Sequence, residues 1–481
     1  MSEDSTKIDA HSFKNEGMFS IGFSKQYAFS REEGLTHTDP WVLNELLTYD
    51  ENCEETYLKG YSRSYYLKDF HLESILKYNR PDPIASDWNM KIANKVKEEI
   101  RIELENSGIA PTSLGVRTEL DQVQFVGSSS AGYGFLGKKG EQRGENHKRA
   151  MRIAKRMILD FHELDGEQFD QAIVDSTPYI GYTRTQLTNI FDKLKVRAVW
   201  GSPFQHIIAE GLSAQPFIEQ VIKKSCFIHL GDDPIYSVPE KITQLNRDYK
   251  WIYTYDWSGF DNTTTRFEID LAFDIIEYLM NFKNKEDRSA FILMRELFKY
   301  KKVVGPDGVV YTVNTGVPSG SYWTNIVDSI INKFRINYLW NIVSGQSMED
   351  LDTHGDDGVG GSDIFVSIDS LAKEANKYGW TLNPDKCIAA NHSDEIEFLG
   401  RKTSGGMSKR ETDRCLRLLV FPEYPVESGR ISAYRARSIN EDVGGISERI
   451  NVIANVLKRK YGVAEEHEVP RTHKRYTGTF N

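Results

Sequence analysis

Trp251-Ile252-Tyr253-Thr254-Tyr255-Asp256-Trp257-Ser258-Gly259-Phe260-Asp261 decides how this 481-residue chain is read. Residues 251–255 are aromatic or β-branched, as a short strand requires. Asp256 follows that strand directly, so its carboxylate projects from a strand end. Asp261 lies beyond a turn marked by Gly259.

Two further places set carboxylates beside strand signals. His354-Gly355-Asp356-Asp357-Gly358 reads as a tight hairpin turn, and His229-Leu230-Gly231-Asp232-Asp233-Pro234 repeats the tripeptide. Adjacent carboxylates repel unless a cation neutralises them, and Mg²⁺ favours a few carboxylates plus phosphate oxygens. Two such ions about 4 Å apart can activate a hydroxyl and stabilise a leaving pyrophosphate. A lone Gly-Asp-Asp is more often a surface turn, and this chain holds two. Asp256 and Asp356 sit at different strand ends and are expected to face each other across adjacent strands.

Between them runs Gly316-Val317-Pro318-Ser319-Gly320-Ser321-Tyr322-Trp323-Thr324-Asn325, a small-residue loop leading into a long apolar helix. Thr324 and Asn325 offer neutral hydrogen-bonding groups suited to a ribose hydroxyl. An ordinary capped helix start has the same appearance.

The surrounding pattern predicts strands over 195–199, 309–313 and 395–398, a hairpin within 349–365, and helices over 147–164, 267–280, 322–343 and 370–378. Residues 41–105 read as mostly helical, and 127–134 as a loop. This is an α+β layer rather than a series of βαβ units. The first 40 residues read as an arm over the body or a tail.

Charged residues make up 27% of the chain and the formal net charge is −10. That excludes a simple cationic nucleic-acid binder but not an enzyme with a local positive channel. Residues 138–156 hold eight basic and two acidic side chains, and 401–417 hold six and two. Either set could line RNA phosphates or form a solvated face. The stretch Arg471-Thr472-His473-Lys474-Arg475-Tyr476 is likewise basic. Cys53, Cys226, Cys387 and Cys415 stand apart, which fits neither a disulfide scaffold nor a structural zinc site and favours a reducing compartment. The start of the chain lacks a signal-peptide core, and no run of 18 apolar residues predicts a membrane span.

These motifs, in this order, resemble those of viral RNA-dependent RNA polymerases. The likeness is to enzymes of double-stranded RNA viruses, the partitiviruses and, less closely, the picobirnaviruses. Asp256-x4-Asp261 matches motif A, 316–325 motif B and Gly355-Asp356-Asp357 motif C. Residues 378–386 resemble motif D, 398–401 motif E, 193–201 the basic motif F, and 111–115 a weak motif G. Gly231-Asp232-Asp233 precedes motif A, so it is expected to be a structural turn, and His354 to fill a strand.

The resemblance implies a right hand of fingers, palm and thumb, with an antiparallel palm sheet carrying helices on one face. It divides the chain into an N-terminal arm (1–40), fingers (41–245), palm (246–275 and 309–401), a fingers insertion (276–308), and thumb with C-terminal tail (402–481). No methyltransferase, helicase or protease domain is expected. Asp256 and Asp356 are implied as ligands of two Mg²⁺ or Mn²⁺ ions, with Asp357 secondary and the Trp257 carbonyl completing the set. Asp261, Ser319 and Asn325, assisted by Thr324, are implied in reading the ribose. Arg197, with Lys193 and Lys195 behind it, is implied in binding the NTP triphosphate, and Lys386 in protonating pyrophosphate. Implied partners are template and product RNA, NTPs and viral capsid protein. The implied setting is the particle interior and host cytoplasm, where a segmented double-stranded RNA genome is replicated and transcribed. A positive-strand virus polymerase has the same chemistry. Asp261 argues against a reverse transcriptase, which usually has a bulky steric gate there, and the full set of acids argues against an inactive RNA-binding scaffold.

Overall fold

Four antiparallel strands form the central sheet, in the order Ile388–Ala390, Trp251–Tyr255, Asp357–Ser362, Asp350–His354. The computed structural model describes residues 9–28, 37–63, 67–83, 87–184, 186–192 and 196–474. Side chains alternate along a strand. Tyr253 and Tyr255 therefore enter one core with Leu351, Ile336 and Trp340 of the helix Thr324–Ser344. Ile252, with Val359 and Ala390, enters another core.

That second core corrects the expectation of helices on one face only. The helix Pro234–Asp248 covers the opposite face through Val238, Ile242 and Leu245, spaced to form one apolar stripe. A strand whose residues are buried on both sides needs a layer on each. The helices Arg266–Leu279 and Ile368–Ala375 add to the first core.

A second, five-stranded sheet runs Ser20–Phe23, Val309–Val313, Lys301–Val304, Tyr179–Arg184, Arg197–Gly201. Its pairs are antiparallel except Tyr179–Arg184 with Lys301–Val304. Val309–Val313 thus lies in this sheet and not in the central one. The described part of the first 40 residues is an arm: Ser20–Phe23 adds an edge strand, and Phe13 is buried. The Asn314 amide holds the arm by donating to the carbonyls of Phe13 and Glu16.

The strands Glu397–Phe398, Arg401–Ser404 and Met407–Lys409 lead into three C-terminal helices, Thr412–Val420, Gly429–Asp442 and Glu448–Tyr461. Residues Val42, Leu46, Cys53 and Leu58 share their core with Leu416, Leu419, Ile450 and Ile453 of these helices. The helix Pro40–Tyr49 therefore packs with the C-terminal helices, not only with the residues that follow it. Among the described residues no helix is long and apolar enough to cross a membrane.

Candidate active site

The register of the central sheet builds the acidic centre. Gly358 pairs with Tyr255 and Asp357 with His354. One step beyond the first pair, Asp357 comes level with Asp256, and Asp356 occupies the hairpin turn beside it. Gly355 takes φ +59°, a conformation that a side chain disfavours. The Thr324–Ser344 helix pins this turn: Gly355 N–H donates to Ser329 Oγ at 2.8 Å, and Asn332 Nδ2 donates to the Gly355 carbonyl at 3.0 Å. Crowding by surrounding atoms, then the charges of Asp356, Asp256 and Glu397, pushes the Asp357 carboxyl up to about 7.

Residues 381–387 run alongside Asp256. Asn383 N–H donates to the Asp256 carbonyl at 2.9 Å, and Asp256 N–H points at Cys387 Sγ at 3.2 Å. This brings Lys386 Nζ to 3.6 Å from Asp256 Oδ2. Trp257 is buried, its indole N–H donating to Asn332 Oδ1 at 2.8 Å.

Asp261 sits in the short helix Phe260–Thr263. Burial and the Asp356 charge push its carboxyl up to about 6, while Arg197 and Arg335 pull it down. Below it, Arg335 and Glu268 form a fully buried ion pair at 2.6 Å. Arg335 also donates to the hydroxyls of Thr263 and Thr264, and Trp380 Nε1 reaches Glu268 at 3.3 Å.

The proposed ribose readers each have a different partner. Ser319 Oγ accepts from Trp200 N–H at 3.2 Å, so it is docked on the Arg197–Gly201 strand. Gly320 is obligatory there, because a Cβ would lie 1.7 Å from the Trp200 carbonyl oxygen. Thr324 Oγ1 turns inward to the carbonyls of Pro318 and Ser321. Asn325 Nδ2 lies 3.5 Å from His354 Nε2. His354 Nδ1 donates to the His229 carbonyl at 2.7 Å, and burial keeps the ring neutral.

Asp328, one turn beyond Asn325, escaped the sequence reading. It is buried, with Oδ1 lacking a partner among the described residues. Burial, then the charges of Asp261 and Asp356, raises its pKa well above the usual carboxylate range. The signal was available: Asn325, Asp328, Ser329 and Asn332 recur at helical spacing as one polar stripe along the helix.

Arg197 is exposed at the start of its strand, and its charge bears on both Asp261 and Asp328. It lines a cavity of about 640 Å³ with Arg63, Arg184, Arg414 and Arg417. Lys193 and Lys195 lie outside the described residues. Several basic side chains after residue 400 serve the fold: Arg401 and Arg410 both pair with Asp442, and Arg417 stacks on Tyr61 at 3.8 Å. The second Gly-Asp-Asp is a helix start, Asp233 accepting from Ile235 N–H at 3.0 Å as the N-cap of Pro234–Asp248.

Residues 37–458 match the family described as Viral RNA-dependent RNA polymerase. The chain belongs to this family. It is similar to the RNA-directed RNA polymerase of Atkinsonella hypoxylon virus (isolate 2H), 23% identical over 48% of this chain and 43% of the relative. It is also similar to the genome polyprotein of Human rhinovirus 16, 33% identical over 24% of this chain and 5% of the polyprotein. The RNA1 polyprotein of Satsuma dwarf virus is 31% identical over 18% of the chain and 4% of the polyprotein. The chain thus spans less than half of the polymerase relative and a twentieth or less of these polyproteins. The relatives span partitivirus-like double-stranded RNA viruses and positive-strand viruses.

Membership in the polymerase family implies nucleotide- and metal-dependent catalysis. The donors suit a hard cation, because Asp256, Asp356 and Asp357 offer only oxygen. Among the described residues, no group of three or more Asp, Glu, His or Cys side chains is arranged to hold a metal ion.

Proposed function

We propose that this chain copies an RNA template into RNA from NTPs by two-metal-ion nucleotidyl transfer. The observation that carries the reading is the register that brings Asp357, and Asp356 in the turn, level with Asp256. Two divalent cations, Mg²⁺ or Mn²⁺, held by Asp256, Asp356, Asp357 and the Trp257 carbonyl, would supply the charge that activates the primer hydroxyl and steadies the leaving group. Arg197 binds the triphosphate, for which a planar guanidinium is well shaped. Lys193 and Lys195 add positive charge for the same triphosphate. Lys386 donates a proton to the departing pyrophosphate. Asp261 reads the ribose hydroxyl with Ser319. We add Asp328 to this group because its buried carboxyl has an Oδ1 without a partner among the described residues, near the charges of Asp261 and Asp356, while Asn325 is turned toward His354.

We read the architecture as a right hand, with the central sheet as palm. The fingers comprise most of 41–245 with 276–308. Two adjustments follow from packing: strand Val309–Val313 goes with the fingers sheet, and helix Pro40–Tyr49 goes with the thumb. The arm ties the first residues to the fingers. Residues 402–481 supply the remaining thumb and the tail.

The biological reading is replication and transcription of a segmented double-stranded RNA virus genome, inside particles with capsid protein and in the host cytoplasm. The order and wording of the motifs support it, as does a polymerase relative that aligns over 290 residues. A positive-strand virus polymerase is the second reading, favoured by the rhinovirus segment. Purified protein with RNA templates of known ends, four NTPs and Mg²⁺ or Mn²⁺ is the test. Template-length RNA is expected from single-stranded templates. Copying from double-stranded templates as well favours the first biological reading, and failure on every template removes the proposed activity.

A further inference from the structure

The loop over residues 316–322 is held at its two ends by a buried lysine and a buried glutamate. At the entering end, Lys301 is 1% exposed. Its ammonium donates to the carbonyls of Gly316 at 2.7 Å, Thr315 at 2.8 Å and Phe298 at 3.0 Å. At the leaving end, Glu210 is fully buried on the helix Phe204–Lys223. Its carboxylate accepts from Tyr322 N–H at 2.7 Å and from Ser321 Oγ at 2.8 Å.

Among the described residues, neither side chain has an ion-pair partner. Burial drives the Lys301 pKa well down and pushes the Glu210 carboxyl up to about 7. Burying an unpaired charge is costly, and a neutral group could cap either end. The same loop is tied to the proposed nucleotide site. Val317 N–H donates to the Asp261 carbonyl at 2.9 Å, and Gly316 N–H to the Thr264 carbonyl at 2.8 Å. In its middle, Ser319 meets Trp200 N–H, and Ser202 Oγ donates to the Gly320 carbonyl at 2.8 Å. A shift at either end therefore moves Ser319 relative to Asp261.

We infer that Lys301 and Glu210 are positioning residues that fix this loop so that Ser319 and Asp261 address one ribose, which makes them determinants of sugar selection. The inference rests on the polymerase reading above. Neither residue touches the reacting atoms. They act through the backbone of residues 315–322.

The test compares Glu210→Ala, Glu210→Gln, Lys301→Met and Ser321→Ala with the parent chain. Two readouts are needed: kcat/KM for ATP and dATP on one template, and amide hydrogen exchange over residues 316–322. Glu210→Ala and Lys301→Met should lower ATP kcat/KM about tenfold, mainly through KM, lower the ATP/dATP ratio, and speed exchange in the loop. Glu210→Gln keeps an acceptor for Tyr322 N–H and should recover most of the loss. Ser321→Ala removes one of the two donors to Glu210 and should act in the same direction, more weakly, if the larger changes prevent folding. A purely structural role predicts less folded protein with an unaltered ATP/dATP ratio. That ratio held within twofold, or unchanged loop exchange in folded variants, overturns the inference. An inactive parent chain counts against the polymerase reading instead, while the exchange data still decide whether these two residues hold the loop.

Discussion

Lys386 Nζ stands 3.6 Å from Asp256 Oδ2. Both side chains reach solvent, at 64% and 39% exposure, so the attraction itself adds little stability. The position is set by backbone, through Asn383 N–H on the Asp256 carbonyl and Ser258 N–H on that of Thr381. On the proposed reading, a cation held beside the acidic centre by main-chain bonds is placed to serve substrate phosphates.

Lys386→Met should therefore lower kcat by about 10²-fold, the low end for loss of a general acid, with a smaller change in the KM for NTP. Lys386→Arg, which keeps charge but holds its proton tightly, should recover binding and not rate. Single-turnover incorporation measured across pH checks this. An unchanged kcat in Lys386→Met removes the proton-donor role.

Asp261→Ala and Asp328→Ala should each reduce ATP discrimination over dATP, by roughly tenfold to a hundredfold, because buried polar recognition of a hydroxyl is lost. Asn325→Ala should change it less, since that amide is turned toward His354. The measurement is kcat/KM for the two nucleotides across a Mg²⁺ titration. A large shift in Mg²⁺ requirement with the ratio intact would make Asp261 part of the metal site.

Several strands of the two larger sheets were legible because their signals are local. Trp251–Tyr255 and Val309–Val313 fall where β-branched and aromatic runs meet a turn. Lys301–Val304 was missed because two lysines open it, and both are buried, against the usual placement of that residue. Ile388–Ala390 is too short to carry a period. The union of Pro40–Tyr49 with the C-terminal helices joins residues some 400 apart in sequence, and no local pattern reports such a contact. In the site, Asp256, Asp356 and Asp357 were readable from strand-end chemistry. Asp328 was not, because the reading stopped at the Thr324-Asn325 pair instead of following the helical stripe.

Arg335→Met should destabilise the fold by about 3–5 kcal/mol, since it leaves Glu268 charged and unpaired in a fully buried place. Arg335→Met with Glu268→Gln should cost less than Arg335→Met alone. Urea denaturation of the three proteins checks this, and a single variant as stable as the parent would contradict it.

Asp232→Asn with Asp233→Asn should leave incorporation near normal, because Asn also caps a helix. Asp233→Ala should cost about 1 kcal/mol of stability with little effect on activity per folded molecule. A folded but inactive double variant would reassign the catalytic Gly-Asp-Asp.

The most direct measurement is NTP incorporation by Asp356→Asn on a primed RNA template, beside the parent chain and with RNA binding followed in parallel. Asp356 occupies the turn that the sheet register sets beside Asp256. Removing its charge should cut incorporation by at least ~10³-fold and leave RNA affinity and melting temperature nearly unchanged. A variant that keeps more than about a tenth of the parent's incorporation would contradict the assignment of this acidic centre.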